Sequence, residues 1–101
     1  MGDVYKGFHI GNKMHGRGRY QFKNGTTYNG QFKDNRKCGY GLLQYSGGDC
    51  YEGFFSDDLR SGYGIYRFSN GDVYEGGFES GKWHGEGTFT CQSGGHYQGE
   101  W

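Results

Sequence analysis

Tyr74-Glu75-Gly76-Gly77-Phe78-Glu79-Ser80-Gly81-Lys82-Trp83-His84-Gly85-Glu86-Gly87 is the fullest copy of a pattern that recurs along the whole chain. Tyr5, Tyr28, Tyr51, Tyr74 and Tyr97 stand 23 residues apart, each followed two positions later by Gly7, Gly30, Gly53, Gly76 or Gly99. Other columns keep the spacing: His9, Phe32, Phe55, Phe78 and Trp101; the pairs Gly16/Gly18, Gly39/Gly41, Gly62/Gly64 and Gly85/Gly87; and Tyr20, Leu43, Tyr66 and Phe89. A fixed period in this range marks an array built from one supersecondary unit.

Read at the two-residue period of a strand, Tyr-x-Gly-x-Phe places its first, third and fifth side chains on one face, and Gly16 to Phe22 does the same. Small and large alternate there. Glycine weakens a strand, so its recurrence predicts close approach, with rings from neighbouring strands lying across the vacant positions. Asn24-Gly25, Gly47-Gly48 and Asn70-Gly71 suit two-residue hairpin turns in which both central residues take positive φ. The fold expected is all-β: an elongated, twisted, single antiparallel sheet of successive β-hairpins. Its units run over residues 5–27, 28–50, 51–73 and 74–96, with a partial fifth at 97–101. Nine strands at about 4.8 Å spacing give a ladder roughly 40 Å long.

Composition excludes the main alternatives. Of 101 residues none is Ala or Pro, and the aliphatic side chains are only Val4, Ile10, Leu42, Leu43, Leu59, Ile65 and Val73, against 23 Gly, 10 Tyr and 8 Phe. No stretch repeats apolar residues at the helical period, and glycine costs a helix about 1 kcal/mol relative to Ala. No apolar run reaches the roughly 18 residues of a membrane span, and the N-terminus lacks the basic-then-apolar order of a secretory signal. Cys38, Cys50 and Cys91 fall at different phases of the repeat and form no C-x-x-C, which reads as reduced thiols in a soluble, cytosolic chain. The sequon Asn24-Gly25-Thr26 reads as a turn.

At these residues the chain resembles the MORN (membrane occupation and recognition nexus) family, whose signature is roughly Y-x-G-x-W/F, a short polar turn, then H-G-x-G and an aromatic. The resemblance covers essentially the whole length, and residues 74–87 match it most fully. His9 departs from the aromatic, Cys38 and Ser61 from the usual His, and Asn35 and Asp58 from a turn glycine. The resemblance implies an aromatic-lined groove, a non-catalytic scaffolding role, and a cytoplasmic place at membrane or cytoskeletal structures. It also leaves open a regulatory segment of a larger enzyme, since lipid kinases and SET-domain methyltransferases carry similar repeats. The sequence enters at Gly2 already in register and stops at Trp101 inside a unit, so it reads as a piece of a longer array whose edge strands invite end-to-end self-association.

Chemistry is scarce. His15 and His84 share a column with Cys38 and Ser61 and read as turn residues, while no H-x-x-x-H, H-E-x-x-H or C-x-x-C supplies metal-ligand spacing. The G-x-G pairs lie in no G-x-G-x-x-G or Walker loop, and no G-x-S-x-G elbow occurs. No catalytic residue, cofactor or metal is expected, and no nucleic-acid partner.

A partner protein or peptide is expected on the face opposite the Tyr column. There Tyr40, Leu42, Phe54, Tyr63 and Ile65 occupy columns that elsewhere hold Arg17, Arg19, Gln31, Glu86, Thr88 and Glu100. An apolar patch of this kind marks interaction sites. Zero net charge conceals an axial asymmetry. Residues 1–50 hold eight Lys and Arg against three Asp and Glu, a net of +5; residues 51–101 hold three against eight, a net of −5. Lys13, Arg17, Arg19, Lys23, Lys33, Arg36 and Lys37 are therefore candidates for anionic lipid, at about 1 kcal/mol per near-surface charge.

Overall fold

The computed structural model describes residues 2–101. They form one sheet whose strands pair in chain order: β1 (Val4–Ile10), β2 (Lys13–Gln21), β3 (Thr27–Lys33), β4 (Arg36–Gln44), β5 (Cys50–Ser56), β6 (Leu59–Arg67), β7 (Val73–Glu79), β8 (Lys82–Thr90) and β9 (His96–Glu100). Every pairing is antiparallel. The predicted meander is therefore the observed one, and its longest dimension, 47 Å, slightly exceeds the ladder estimate.

The core is a row of rings on one face. Tyr28, Tyr51 and Tyr74 are fully buried, with Phe32, Phe55, Phe78 and Leu43 beside them. Each tyrosine lies flat along the sheet over a glycine pair. For Tyr51 the pair is Gly53, two residues on in the same strand, and Gly64, directly opposite in β6. A Cβ built on Gly64 would meet Cε1 and Cζ of the ring at 2.5 and 2.6 Å, so no larger residue fits without expelling it. The expectation that rings come from neighbouring strands thus holds for one glycine of each pair. The other is covered by its own strand's tyrosine. The hydroxyl then donates to a backbone carbonyl three residues on, Tyr51 to Phe54 at 2.8 Å and Tyr28 to Gln31 at 2.9 Å.

Phenylalanines link these tyrosines across units. Tyr28 meets Phe55 edge-to-face at 5.3 Å, Phe55 meets Tyr51 at 5.1 Å, Tyr51 meets Phe78 at 5.0 Å, and Phe78 meets Tyr74 at 5.2 Å. Such pairs contribute about 0.5–1.5 kcal/mol each beyond buried area. One zigzag of rings runs through the sheet.

The turns differ from the sequence expectation. At Gly47-Gly48 only Gly48 has positive φ, 107°, and the loop closes through Gly48 N–H to Tyr45 O at 3.0 Å and Tyr45 N–H to Asp49 O at 2.9 Å. This is a three-residue connection ending in a left-handed glycine, and Asn24-Gly25 and Asn70-Gly71 repeat it. Two-residue turns with both φ positive lie instead inside the units, at Asp34-Asn35, Asp57-Asp58 and Ser80-Gly81. A dipeptide containing glycine fits either geometry; strand length decides, because β3, β5 and β7 end directly on the tighter turn.

Turns also stack along each edge of the ladder. Asp49 Oδ1 accepts from Ser69 N–H at 2.7 Å and its Oδ2 from the Tyr66 hydroxyl at 2.8 Å, and Asp3 does the same with Lys23 and Tyr20. On the other edge Asp58 accepts from Lys37 N–H at 2.7 Å, and Asn35 from Met14 N–H at 2.9 Å. Each unit is stapled to the next by a polar turn residue.

Candidate functional site

The two faces differ because alternation sends one set of side chains to the ring row and the other to solvent. On the ring face the column Met14, Lys37, Arg60 and Trp83 lies across the rings. The Arg60 guanidinium sits 5.1 Å from the Tyr66 ring and donates to Gly81 O at 2.7 Å and to the Tyr45 hydroxyl at 3.1 Å. Lys37 Nζ lies 5.7 Å from the Tyr28 ring, and Trp83 stacks on Tyr74 at 4.2 Å. These side chains fill much of the implied groove, leaving a hollow of about 150 Å³ at Met14, Tyr20, Phe22 and Phe32 and one of about 200 Å³ at Arg60, Tyr66, Phe68 and Trp83. Burial pushes the Tyr51 hydroxyl up to about 12, and burial followed by the Asp49 carboxylate does the same for Tyr66.

The opposite face gathers the five residues singled out from sequence. Tyr40 on β4 pairs directly with Phe54 on β5, their rings edge-to-face at 5.5 Å. Leu42 and Ile65 flank Glu52 on either side, each paired with it across a strand boundary. Tyr63 lies on β6 opposite Gly77. Tyr40, Phe54 and Tyr63 are 47%, 46% and 52% exposed, well above the buried rings of the other face.

Two carboxylates in the patch escaped the sequence reading. The Tyr40 hydroxyl donates to Glu52 at 2.8 Å, and that of Tyr63 donates to Glu75. Each hydrogen bond to the carboxylate, then partial desolvation, raises the tyrosine pKa. Arg67 closes the set on Glu52 at 3.3 Å. The signal was present: Tyr40/Glu52 and Tyr63/Glu75 recur at the unit period, but turn and strand carboxylates read by default as solvated. Held by these bonds, the tyrosines lose little rotamer freedom when covered.

Beyond the patch the face changes sign. Lys6 pairs with Arg19 directly across β1 and β2, with Arg17 beside them, whereas Glu86 pairs with Glu100 across β8 and β9. Like charges directly opposite destabilise a sheet. Gly77, where other units carry Gln31 or Phe54, leaves no side chain beside Tyr63, and Tyr63, Glu75, Glu86, Thr88 and Gln98 line an open hollow of about 310 Å³.

The lysines and arginines singled out for lipid are divided. Arg17 and Arg19 stand on the second face, whereas Lys37 lies on the ring face and bonds Asp58 at 3.4 Å. Arg36, near Lys33 at the β3–β4 turn, pairs with Asp57 at 3.6 Å; Lys13 begins β2 and Lys23 lies in the β2–β3 loop. Among the described residues no group of three or more His, Cys, Asp or Glu is gathered as a metal set, and all three cysteines are free.

No curated protein sequence matches the chain significantly. The sequence pattern of the MORN repeat matches residues 5–27, 28–50, 51–73 and 74–96 in succession. Those four segments are the same hairpins that share the tyrosine-over-glycine packing, a register shift between their two strands and the stacked turns, so the chain belongs to the MORN repeat family, as a non-catalytic interaction module.

Proposed function

We propose that this array is a scaffold segment that docks a partner protein on its second face, through Tyr40, Leu42, Phe54, Tyr63 and Ile65. The carrying observation is that Tyr40, Phe54 and Tyr63 are half exposed, with Leu42 and Ile65 partly buried among them and the two tyrosines already oriented by Glu52 and Glu75, whereas the rings of the other face are consumed by the fold. Exposed aromatics of fixed rotamer are efficient anchors. The test places a photo-crosslinking amino acid at Leu42 and compares light-dependent adducts from cell extract with and without Tyr63→Glu and Ile65→Glu. Loss of adducts is expected; their full retention sinks the reading.

Lipid tethering is the second reading, favoured by Lys6, Arg17 and Arg19 standing together at one end of the same face with no ion-pair partner among the described residues. Co-sedimentation with neutral and phosphoinositide-containing vesicles at low and physiological salt tests it. Binding that survives Arg17→Glu and Arg19→Glu rules it out.

A further inference from the structure

The second face is ordered along the array: Lys6, Arg17 and Arg19 on β1 and β2, beside the exposed Phe8; aromatics and aliphatics on β4 to β6; carboxylates on β7 to β9. That order is self-complementary. A two-fold axis lying between two copies and parallel to β5 maps β1 onto β9, β2 onto β8 and β4 onto β6, while keeping each row of side chains over the same row. Arg17 then faces Glu86, Tyr40 faces Tyr63, Leu42 faces Ile65, and Phe54 faces its own copy; Glu52, also on the axis, meets its own copy with Arg67 at 3.3 Å to neutralise it, and Phe8 lies over Glu100. An axis along the array would set basic end on basic end. We propose that this face pairs with the same face of a second copy, reversed, in a face-to-face homodimer.

Three observations carry the proposal. Lys6/Arg19 and Glu86/Glu100 are like-charge pairs at opposite ends, and among the described residues none of the four makes an ion pair in the single chain. In the reversed copy Arg17 comes directly over Glu86, and Lys6 and Arg19 come over Gln98 and Thr88, one row from Glu100 and Glu86. The open hollow of about 310 Å³ at Tyr63, Glu75 and Glu86 lies over the strands that β1 to β3 of the other copy would cover, so it receives Arg17 and Arg19. Finally, a molecule 47 by 26 Å in its longer dimensions offers a face large enough for the roughly 800 Å² per partner of a specific interface. Twisted sheets pack face to face about 10 Å apart, with their strands within about 30°.

This proposal rests on the docking reading of the patch and names its occupant. Its test is pulsed dipolar spectroscopy on chains with Cys38, Cys50 and Cys91 changed to Ser, spin-labelled at Gly47→Cys or Gly95→Cys. Both are glycines where an added Cβ meets nothing, and neither has positive φ. Gly47 lies between β4 and β5 and Gly95 between β8 and β9. The reversed dimer predicts a separation of about 10–20 Å between the two Gly47 sites and about 35 Å between the two Gly95 sites. Equal separations at both sites would mean head-to-tail stacking or an axis along the array, and a Gly95 separation shorter than that of Gly47 would mean edge-to-edge pairing; each overturns it, as would a chain monomeric at every concentration.

Sedimentation of charge variants is the second arm. Arg17→Glu and Glu86→Arg each weaken the dimer about tenfold or more, and combining both in one chain restores it. Added salt weakens the wild-type dimer. A monomer that still gives patch-dependent adducts from position 42 overturns self-pairing and leaves docking standing. A dimer indifferent to Tyr63→Glu with Ile65→Glu overturns self-pairing through this face, and docking falls with it where the adducts from position 42 also persist in full.

Discussion

At the scale of single residues, the repeating Tyr-x-Gly is a contact requirement. The Tyr51 ring occupies the volume in which a side chain at Gly53 or Gly64 would sit. Gly64→Ala therefore destabilises by about 3 kcal/mol through overpacking, while Gly47→Ala, whose Cβ meets nothing, stays within about 0.5 kcal/mol in a urea titration. Asp49 works in the opposite direction, as an acceptor. Its hydrogen bonds from the Tyr66 hydroxyl and then Ser69 N–H hold its carboxyl below the ordinary 3.8. The unfolded chain thus binds a proton more readily, so the stabilisation is complete above pH 3.8 and is lost as pH falls through the folded-state value. Asp49→Asn keeps Oδ1 as an acceptor and flattens this acid limb of stability against pH. An unchanged limb would show the carboxylate idle. The glycines and tyrosines were legible because both halves of the contact recur. The Asp column was not read, although Asp3, Thr26, Asp49 and Asp72 stand at the unit period. A turn aspartate whose partners lie 17 and 20 residues away looks the same in sequence as a solvated one.

At the scale of strands and turns, the meander was legible in the 23-residue period, but the two kinds of turn were exchanged. Asn-Gly and Gly-Gly read as the two-residue turns, and the residues that hold that geometry, Asp57-Asp58 and Ser80-Gly81, read only as a short polar turn of no stated type. Their non-glycine members carry strain: Ser80 sits at φ 51°, a conformation that costs most L-residues about 1–2 kcal/mol and that Asn tolerates better. Ser80→Asn is expected to stabilise the β7–β8 hairpin by up to about 1 kcal/mol, read as a raised melting temperature. A lowered one would mean that Ser80 makes a compensating interaction. Bulges were likewise hidden in the G-x-G pairs. Around Gly62, at φ 69°, β6 carries two more residues than β5 between the Gly53/Gly64 and Phe55/Arg60 pairs, so the pairing slips while Arg60 and Gly64 stay on the ring face and Tyr63 on the second. Tyr63 stays on the second face with Ile65, opposite Gly77, while Gly62 packs near Phe54 Cβ.

At the scale of the molecule, a single sheet has no second layer, and the units are joined by backbone ladders, turn staples and one phenylalanine per junction. Phe55 touches both Tyr28 and Tyr51. Phe55→Ala should cost about 3–5 kcal/mol and, in an array stabilised by nearest neighbours, divide the melt into two steps. A single sharp transition would mean that the ladders alone maintain cooperativity. The second-face patch was legible as columns that turn apolar only in the middle units, and its charge gradient as a count over two halves of the chain. The carboxylates that orient Tyr40 and Tyr63 needed the register of β5 to β7 before they could be seen. The aromatic zigzag has an optical consequence. Trp83 and Trp101 lie 4.9 Å apart at one end, with Tyr74 stacked on Trp83, and no indole occurs elsewhere. Tryptophan emission will therefore report only the last hairpin, while tyrosine excited anywhere along the row passes energy towards it; the colour of the emitted light records how far the array is intact.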